Sequence, residues 1–326
     1  MKVTVIGAGA WGTALANLLC DNQQEVTLWG HDKLRLEAIQ ETRRNKTHLP
    51  GMELSPELRF EGDISKAIAD AECAVIAVPS KFFREITSQF PQFDRVAVSV
   101  TKGIEYETGL TMSAVLETVM PRASLSALSG PTLALEVARN IPAAIVAASH
   151  DAKVAQTVQK LFLRPTFRVY TSLDLPGVEL GGALKNVIAI AAGMSDGIGF
   201  GDNTKATLIT RAIVEMRRLG VACGAKAETF SGLSGLGDLT VTCFSELSRN
   251  RGFGERLGRG ESVQKILATT SSVAEGYPTA RSAFHLAKKL NIETPIIDEV
   301  HAMLYEGKHI GEAVRDLMNR DAKPED

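Results

Sequence analysis

The chain opens Met1-Lys2-Val3-Thr4-Val5-Ile6-Gly7-Ala8-Gly9-Ala10-Trp11-Gly12, and this stretch decides the fold. Val3–Ile6, β-branched and largely apolar, predicts a buried strand. It runs directly into Gly-x-Gly-x-x-Gly, after which Ala14, Leu15, Leu18 and Leu19 recur at helical spacing. A second apolar run, Val26–Trp29, completes a β-α-β unit. In such a unit Gly7 makes the tight turn, Gly9 lets the backbone approach a pyrophosphate, and Gly12 lets helix and strand pack closely. The helix entered through Ala10 and Trp11 offers free amides and the positive end of its dipole to that anion. With strand, loop and helix in the required order, the motif predicts a dinucleotide site.

The end of the second strand bears on which dinucleotide. A site for NAD places an acid there to hold the ribose hydroxyls. Here the residues are Trp29-Gly30-His31-Asp32-Lys33, so the acid comes late, while His31, Lys33 and Arg35 stand where a 2′-phosphate would lie. NADP is therefore expected ahead of NAD. The competing reading of Lys33 and Arg35 is a solvated helix face.

Working outward, further strands are expected at Ala74–Val78, Val96–Val100, Leu125–Ser129 and Ala144–Ala148. Short strands alternating with helical patterns read as a parallel α/β sheet. Pro79 and Gly130-Pro131 place turns at strand ends, where ligands collect in open sheets of this kind. From about Pro176 helices take over: Val178–Met194, Thr204–Leu219, Ser262–Leu267, Thr279–Leu290 and Pro295–Tyr305. Asp202 or Asn203 is expected to cap the second of these and Gly220 to close it. The expected architecture is a Rossmann-type dinucleotide-binding domain over residues 1–176, followed by an all-α substrate and catalytic domain over 177–326.

Composition removes several function classes. The 326 residues carry 36 Lys plus Arg against 38 Asp plus Glu, so there is no global basic field to attract nucleic acid or an anionic membrane. A 44% hydrophobic and 23% charged composition is that of a globular chain. Cys20, Cys73, Cys223 and Cys243 form no C-x-x-C pair, which argues against a metal knuckle or disulfide framework and for reduced thiols in the cytoplasm. No stretch reads as apolar over the ~20 residues that span a bilayer, and the first apolar run is too short for a signal peptide. Membrane insertion is not expected.

Four segments hold more glycine and polar residues than packing asks for. In Gly130-Pro131-Thr132, a kinked strand end turns amides toward the ligand side; Thr132 could equally be a helix cap. In Glu179-Leu180-Gly181-Gly182-Ala183-Leu184-Lys185-Asn186, a lysine sits in an otherwise apolar helix. It must snorkel, find a carboxylate, or face a polar cavity, and burial would lower its pKa toward neutrality. Gly232 through Asp238 reads as backbone bent to deliver a carboxylate. Beyond it, Ser248-Arg249-Asn250-Arg251 supplies fixed charge and donors suited to phosphate, or else a charged cap. Val273-Ala274-Glu275-Gly276 alone could be a turn. A dinucleotide domain joined to Lys, Asp and Arg-Asn suggests hydride transfer to a small anionic substrate.

Taken together these segments resemble the NAD(P)-dependent glycerol-3-phosphate dehydrogenases of the soluble bacterial type. The resemblance rests on Gly7–Gly12, Gly130–Ala138, Glu179–Met216, Gly235–Gly260 and Val273–Ala280, with small departures at Thr132-Leu133 and Ser234. It implies reversible interconversion of dihydroxyacetone phosphate and sn-glycerol 3-phosphate, feeding glycerophospholipid synthesis. It implies that Lys185 is the general acid/base, that Asp238 holds it, and that Lys102 faces the reacting carbonyl. It assigns the substrate to Lys102, Gly130, Thr132, Lys185, Asp238, Ser248, Arg249 and Asn250. It assigns the cofactor, beyond the glycine loop, to Ala10, Trp11, His31, Lys102, Ala134, Arg249, Val273 and Glu275. No metal is implied, and the partners are the small-molecule substrate and, as an option, a second copy of the chain. Two alternatives stand beside this reading: another two-domain dehydrogenase of a small anion, and a non-catalytic dinucleotide sensor.

Overall fold

The computed structural model describes residues 1–270, 273–322 and 324. Strands and helices alternate through the first half: β1 (Lys2–Ile6), α1 (Ala10–Asp21), β2 (Glu25–Trp29), α2 (Lys33–Thr42), β3 (Arg59–Glu61), α3 (Ile64–Ala69), β4 (Cys73–Ile76), α4 (Ser80–Thr87), β5 (Val96–Ser99), α5 (Met112–Val119), β6 (Ser124–Ser129), α6 (Ala134–Ala138), β7 (Ala143–Ala148), α7 (Ala152–Phe162) and β8 (Phe167–Ser172). The sheet order is β3-β2-β1-β4-β5-β6-β7-β8. Strands β1 to β6 run parallel; β7 pairs antiparallel with β6, and β8 runs parallel to β7. The order reverses between β1 and β4, and that switch point opens the crevice used by ligands in doubly wound sheets.

Two strands go beyond the sequence expectation. β3 has three residues and no apolar run to announce it. β8 alternates buried Phe167 and Val169 with exposed Arg168 and Tyr170, a half-covered edge.

The second half is helical: α8 (Leu175–Gly197), α9 (Asp202–Ala222), α10 (Asp238–Phe244), α11 (Arg249–Gly258), α12 (Val263–Thr269), α13 (Gly276–Lys289), α14 (Pro295–His301) and α15 (Ile310–Met318). The division expected at 176/177 falls in the first turn of α8. The caps of α9 differ from expectation. Gly201 is its N-cap without a side-chain bond, and Asp202 is its first residue. Gly220 lies inside the helix, where a Cβ would come 2.1 Å from Phe230 Cζ; the left-handed glycine after the helix is Gly224, φ +90°.

Helix α8 is the axis of this half, buried along most of its length, with α9, α10, α11 and α13 packed around it. It also corrects the expectation that no segment reaches membrane-spanning length. By length and composition α8 is apolar enough to cross a bilayer, yet 89% of its apolar window is buried inside the protein. Its crossing with α11 is made by glycines: a Cβ on Gly193 would lie 1.9 Å from the Arg251 carbonyl oxygen, and one on Gly254 the same distance from that of Ile190. The two backbones therefore touch, which fixes α11 against α8 with little room for sliding.

Candidate active site

The glycine loop takes the form its spacing requires. Gly7 has φ +122°, and a Cβ there would fall 2.6 Å from the Ala77 carbonyl oxygen. A Cβ on Gly12 would strike the Gly7 carbonyl, whereas the space beside Gly9 is open. The ladder of α1 begins with Thr13 N–H donating to Gly9 C=O, so the amides of Ala10, Trp11 and Gly12 precede it. Trp11, like Ala134 and Leu135 of α6, packs against the buried cluster of Ala14, Leu49 and Ala138, and its indole Nε1 is buried without a partner. An open glycine backbone, leading amides and an orphaned donor fit a pyrophosphate-containing ligand.

Beyond β2, Asp32 is committed to capping α2: it accepts from Arg35 N–H at 3.0 Å and pairs with the Arg35 guanidinium at 3.5 Å. His31 is exposed. The Lys33 stem lies over Gly62, so this lysine covers backbone as well as offering charge. A basic group missed in the sequence joins them. The 43–54 segment is pinned to the glycine loop by buried Asn45, which donates to Ala8 C=O at 3.0 Å and to Thr13 Oγ1 at 2.8 Å. That anchor brings His48 Nε2 to 2.8 Å from Arg35 Nη1. Burial, then the charges of Arg35 and Arg249, hold the His48 pKa below its ordinary value.

The second centre lies where the carboxyl ends of β5 and β6 meet α8 and α10. Lys102 follows β5, and its Nζ donates to Gly130 C=O at 3.0 Å and to Asp238 Oδ2 at 2.5 Å. Asp238 Oδ1 lies 3.1 Å from Lys185 Nζ, which also donates to Thr242 Oγ1 at 2.7 Å. The Asp238 side chain is 2% exposed and that of Lys185 8%. Burial drives the Lys185 pKa down, Asp238 opposes this, and Lys102 adds to it; the result is about 8. Thr242 stands one turn beyond Asp238 on α10, on the same face, and that i,i+4 spacing was its only sequence signal.

The glycines before Asp238 act differently from the expected bend. None of Gly232, Gly235 and Gly237 is left-handed. They permit close approach instead: a Cβ on Gly235 would lie 2.1 Å from the Phe230 carbonyl oxygen, and one on Gly181 would lie 2.5 Å from that of Ser234. Gly182 likewise makes room for Ser129 Oγ, a buried hydroxyl without a partner.

Helix α11 supplies a second exposed amino end. Ser248 is its N-cap, accepting from Arg251 N–H at 3.2 Å. The ladder starts with Gly252 N–H onto Ser248 C=O, so the amides of Arg249 and Asn250 precede it. The Arg249 side chain is exposed, but the Asn250 carboxamide is tied inward. It donates to Asn186 Oδ1 at 2.8 Å and accepts from Gly276 N–H at 2.8 Å, while Asn186 donates to Lys102 C=O at 3.2 Å. Arg251 turns away to Asp196. Thr132 caps no helix; its hydroxyl donates to Gly130 C=O, and Ala134 begins α6 behind Leu133.

Val273 is half-buried beside Glu275, which bridges the two lobes. Its carboxylate accepts from Ser80 N–H at 3.1 Å and Ser80 Oγ at 2.6 Å, at the start of α4. Burial raises its pKa, against the Ser80 bonds and the Arg249 charge. Two surface hollows lie elsewhere, one lined by Gln24, Arg43 and Phe60 and one by Lys288, Asp298 and Arg320. Among the described residues, no group of three or more His, Cys, Asp or Glu is arranged to hold a metal.

Residues 2–155 match the family model for the NAD-dependent glycerol-3-phosphate dehydrogenase N-terminus, and residues 174–315 that for its C-terminus. A relative from Geobacter sp. (strain M21), named as an NAD(P)+ glycerol-3-phosphate dehydrogenase, is 48% identical over 99% of this chain and 98% of its own. One of the same name from Fusobacterium nucleatum is 44% identical over 100% and 98%. The crystal structure of a glycerol-3-phosphate dehydrogenase from Coxiella burnetii superposes with a TM-score of 0.95 at 35% identity, covering 98% of this chain and 99% of that one. A ketopantoate reductase from Ralstonia eutropha shares the fold alone, with a TM-score of 0.61 at 16% identity, covering 93% of this chain and 97% of that one.

Proposed function

Because the chain belongs to the NAD-dependent glycerol-3-phosphate dehydrogenase family, we infer that its paired lysines, shared carboxylate and two helix amino ends form one active site. The activity is NAD(P)-dependent interconversion of dihydroxyacetone phosphate and sn-glycerol 3-phosphate, the phosphorylated alcohol that glycerophospholipid synthesis consumes. When bound, the nicotinamide supplies or accepts the hydride at substrate C2. The remaining tasks fall to the chain.

Lys185 gives its proton to the C2 oxygen as the carbonyl is reduced, and takes it back in oxidation. A pKa of about 8 suits both directions near neutrality. Asp238 keeps Lys185 charged and in place, while Thr242 fixes its rotamer. Lys102 supplies a second positive charge where negative charge develops on the C2 oxygen. Gly130 and Thr132 border that oxygen's pocket. The substrate phosphate rests on the amino end of α11, on the amides of Arg249 and Asn250 and the Arg249 guanidinium, beside Ser248. Asn250 thus acts through its main chain, and its carboxamide braces the site.

On the cofactor side, Gly7, Gly9 and Gly12 with Ala10 and Trp11 take the pyrophosphate, and Ala134 flanks it. His31, with Arg35 and His48, faces the adenosine end, which favours NADPH. Lys102, Arg249, Val273 and Glu275 lie toward the nicotinamide half, so that Lys102 and Arg249 serve both ligands. Residues 1–176 carry most of the nucleotide site and 177–326 the proton carrier and phosphate cradle, with Lys102, Gly130 and Thr132 reaching the substrate from the first part and Arg249, Val273 and Glu275 the cofactor from the second. Four free cysteines, three of them buried, support a reducing, cytoplasmic setting.

The observation that carries the reading is Asp238 held between Lys102 and Lys185. A non-catalytic sensor has no use for a lysine buried at that cost, and a sister dehydrogenase would lack the phosphate cradle beside it. The test is NADPH absorbance on adding dihydroxyacetone phosphate, with dihydroxyacetone and NADH in parallel. Loss that requires the phosphate upholds substrate and reaction together. No loss, in folded protein that binds NADPH, rejects the assignment.

A further inference from the structure

Ten residues after Asn186 on the same helix, Asp196 forms a second buried charge cluster that the reaction itself does not use. Its Oδ2 accepts from Arg251 Nε at 2.7 Å, and its Oδ1 lies 2.6 Å from Lys205 Nζ. All three side chains are 14% exposed or less. The two cations come from different helices, Lys205 from the first turn and a half of α9 and Arg251 from the first turn of α11. Arg251 directly follows Arg249 and Asn250, and its own amide is held by the Ser248 cap. The Arg251 carbonyl meanwhile lies against Gly193, so backbone contact sets how deep α11 sits on α8. Rotation about the α11 axis is restrained at its second residue by the Asn250 carboxamide, bonded to Asn186 and Gly276. The Asp196–Arg251 bond, reaching sideways from the third residue of the helix, adds a charged restraint beside it.

We propose that Asp196 is a positioning residue for substrate phosphate: by binding Arg251 and Lys205 on separate oxygens it completes, with the Asn250 brace, the restraint on rotation of α11, and so the aim of the Arg249 and Asn250 amides. The proposal rests on the reading of that amino end as the phosphate site. It assigns no contact between Asp196 and substrate, so it separates ground-state phosphate binding from proton transfer at Lys185. Helix-terminal amides bind an anion well only when several point at it together. Losing their aim therefore weakens every phosphate ligand, while the Lys185–Asp238–Lys102 group is left as it was.

The full-length enzyme with saturating NADPH tests this through three quantities: KM for dihydroxyacetone phosphate, kcat, and the competitive Ki of inorganic phosphate. In Asp196→Asn, KM and Ki should rise together by roughly tenfold, the scale of one lost charge-assisted bond, with kcat within about threefold. Arg251→Lys, which still presents a cation to Asp196, should stay within about threefold of wild type, whereas Arg251→Gln should behave as Asp196→Asn and serves if that variant does not fold. Unchanged KM and Ki in folded Asp196→Asn overturn the proposal, as does a fall in kcat at constant KM. If phosphate fails to compete in the wild-type enzyme, the assignment of the α11 amino end itself is wrong, a result separate from either.

Discussion

Lys102 Nζ reaches Asp238 Oδ2 at 2.5 Å, joining the loop that follows β5 to the first residue of α10, 136 positions later. Because the other oxygen holds Lys185, one carboxylate keeps two ammonium groups together in a buried site. Removing the charge leaves both cations facing a neutral amide, and breaking a buried pair in this way costs about 3–5 kcal/mol. Asp238→Asn should therefore lower the melting temperature clearly and reduce kcat by orders of magnitude. A variant with wild-type melting and turnover would show that the carboxylate is dispensable.

The pH profile should report Lys185 with opposite signs in the two directions. Reduction needs the ammonium, so kcat/KM for dihydroxyacetone phosphate should hold at low pH and fall above about 8. Oxidation of glycerol 3-phosphate needs the free amine, so its kcat/KM should rise with pH and level off above the same value. In residual Asp238→Asn activity both limbs should move to lower pH, since Asp238 raises the lysine pKa and that support is gone. Identical limbs in both directions would remove Lys185 as the proton carrier.

Much of this was legible because glycine and proline punctuate the chain where ligands approach. The first β-α-β unit follows from residues 1–29, and Lys185 stands out as a charge in an apolar helix. What stayed hidden depends on contacts far apart in sequence. Helix α10 is a single short run, Asp238–Phe244, too brief to show a helical period, and α11 carries glycines and charges that suit a loop until its glycines meet the glycines of α8. The resemblance places Asn250 at the substrate phosphate, and the structure adds what the sequence does not show, that its carboxamide bonds Asn186 and Gly276. His48 gave no signal, since its place beside Arg35 is set by Asn45 gripping the glycine loop.

Cofactor choice should depend on the basic residues past β2. Asp32 is tied to the α2 cap and to Arg35, which weakens it as a ribose acceptor and favours a 2′-phosphate near His31 and Lys33, with Arg35 and His48 beside them. Replacing His31 and Lys33 together by Ala should raise KM for NADPH by about tenfold, one charge-assisted contact, with little change for NADH. Steady-state kinetics with both cofactors measures the ratio. A ratio equal to that of wild type would reject these two residues as readers of the phosphate.

The α8–α11 crossing should tolerate no added carbon at its glycines. A Cβ on Gly254 would sit 1.9 Å from the Ile190 carbonyl oxygen and 2.9 Å from Met194 N, both backbone atoms that cannot swing aside. The helices must separate, and overpacking of this kind costs about 1–3 kcal/mol or more. With α11 proposed to carry the phosphate cradle and α8 carrying Lys185, separation should also raise KM for the phosphorylated substrate. Gly252 supplies the control on the same helix: nothing lies within 4 Å of its added carbon, so Gly252→Ala meets only the helix preference for alanine. Gly254→Ala should melt several degrees below wild type, while Gly252→Ala should melt with wild type or above it, by the few degrees that a gain of up to about 1 kcal/mol brings. Equal melting temperatures for the two would mean that the helices do not meet backbone to backbone, and the geometry that aims α11 would have to be rebuilt from its side chains alone.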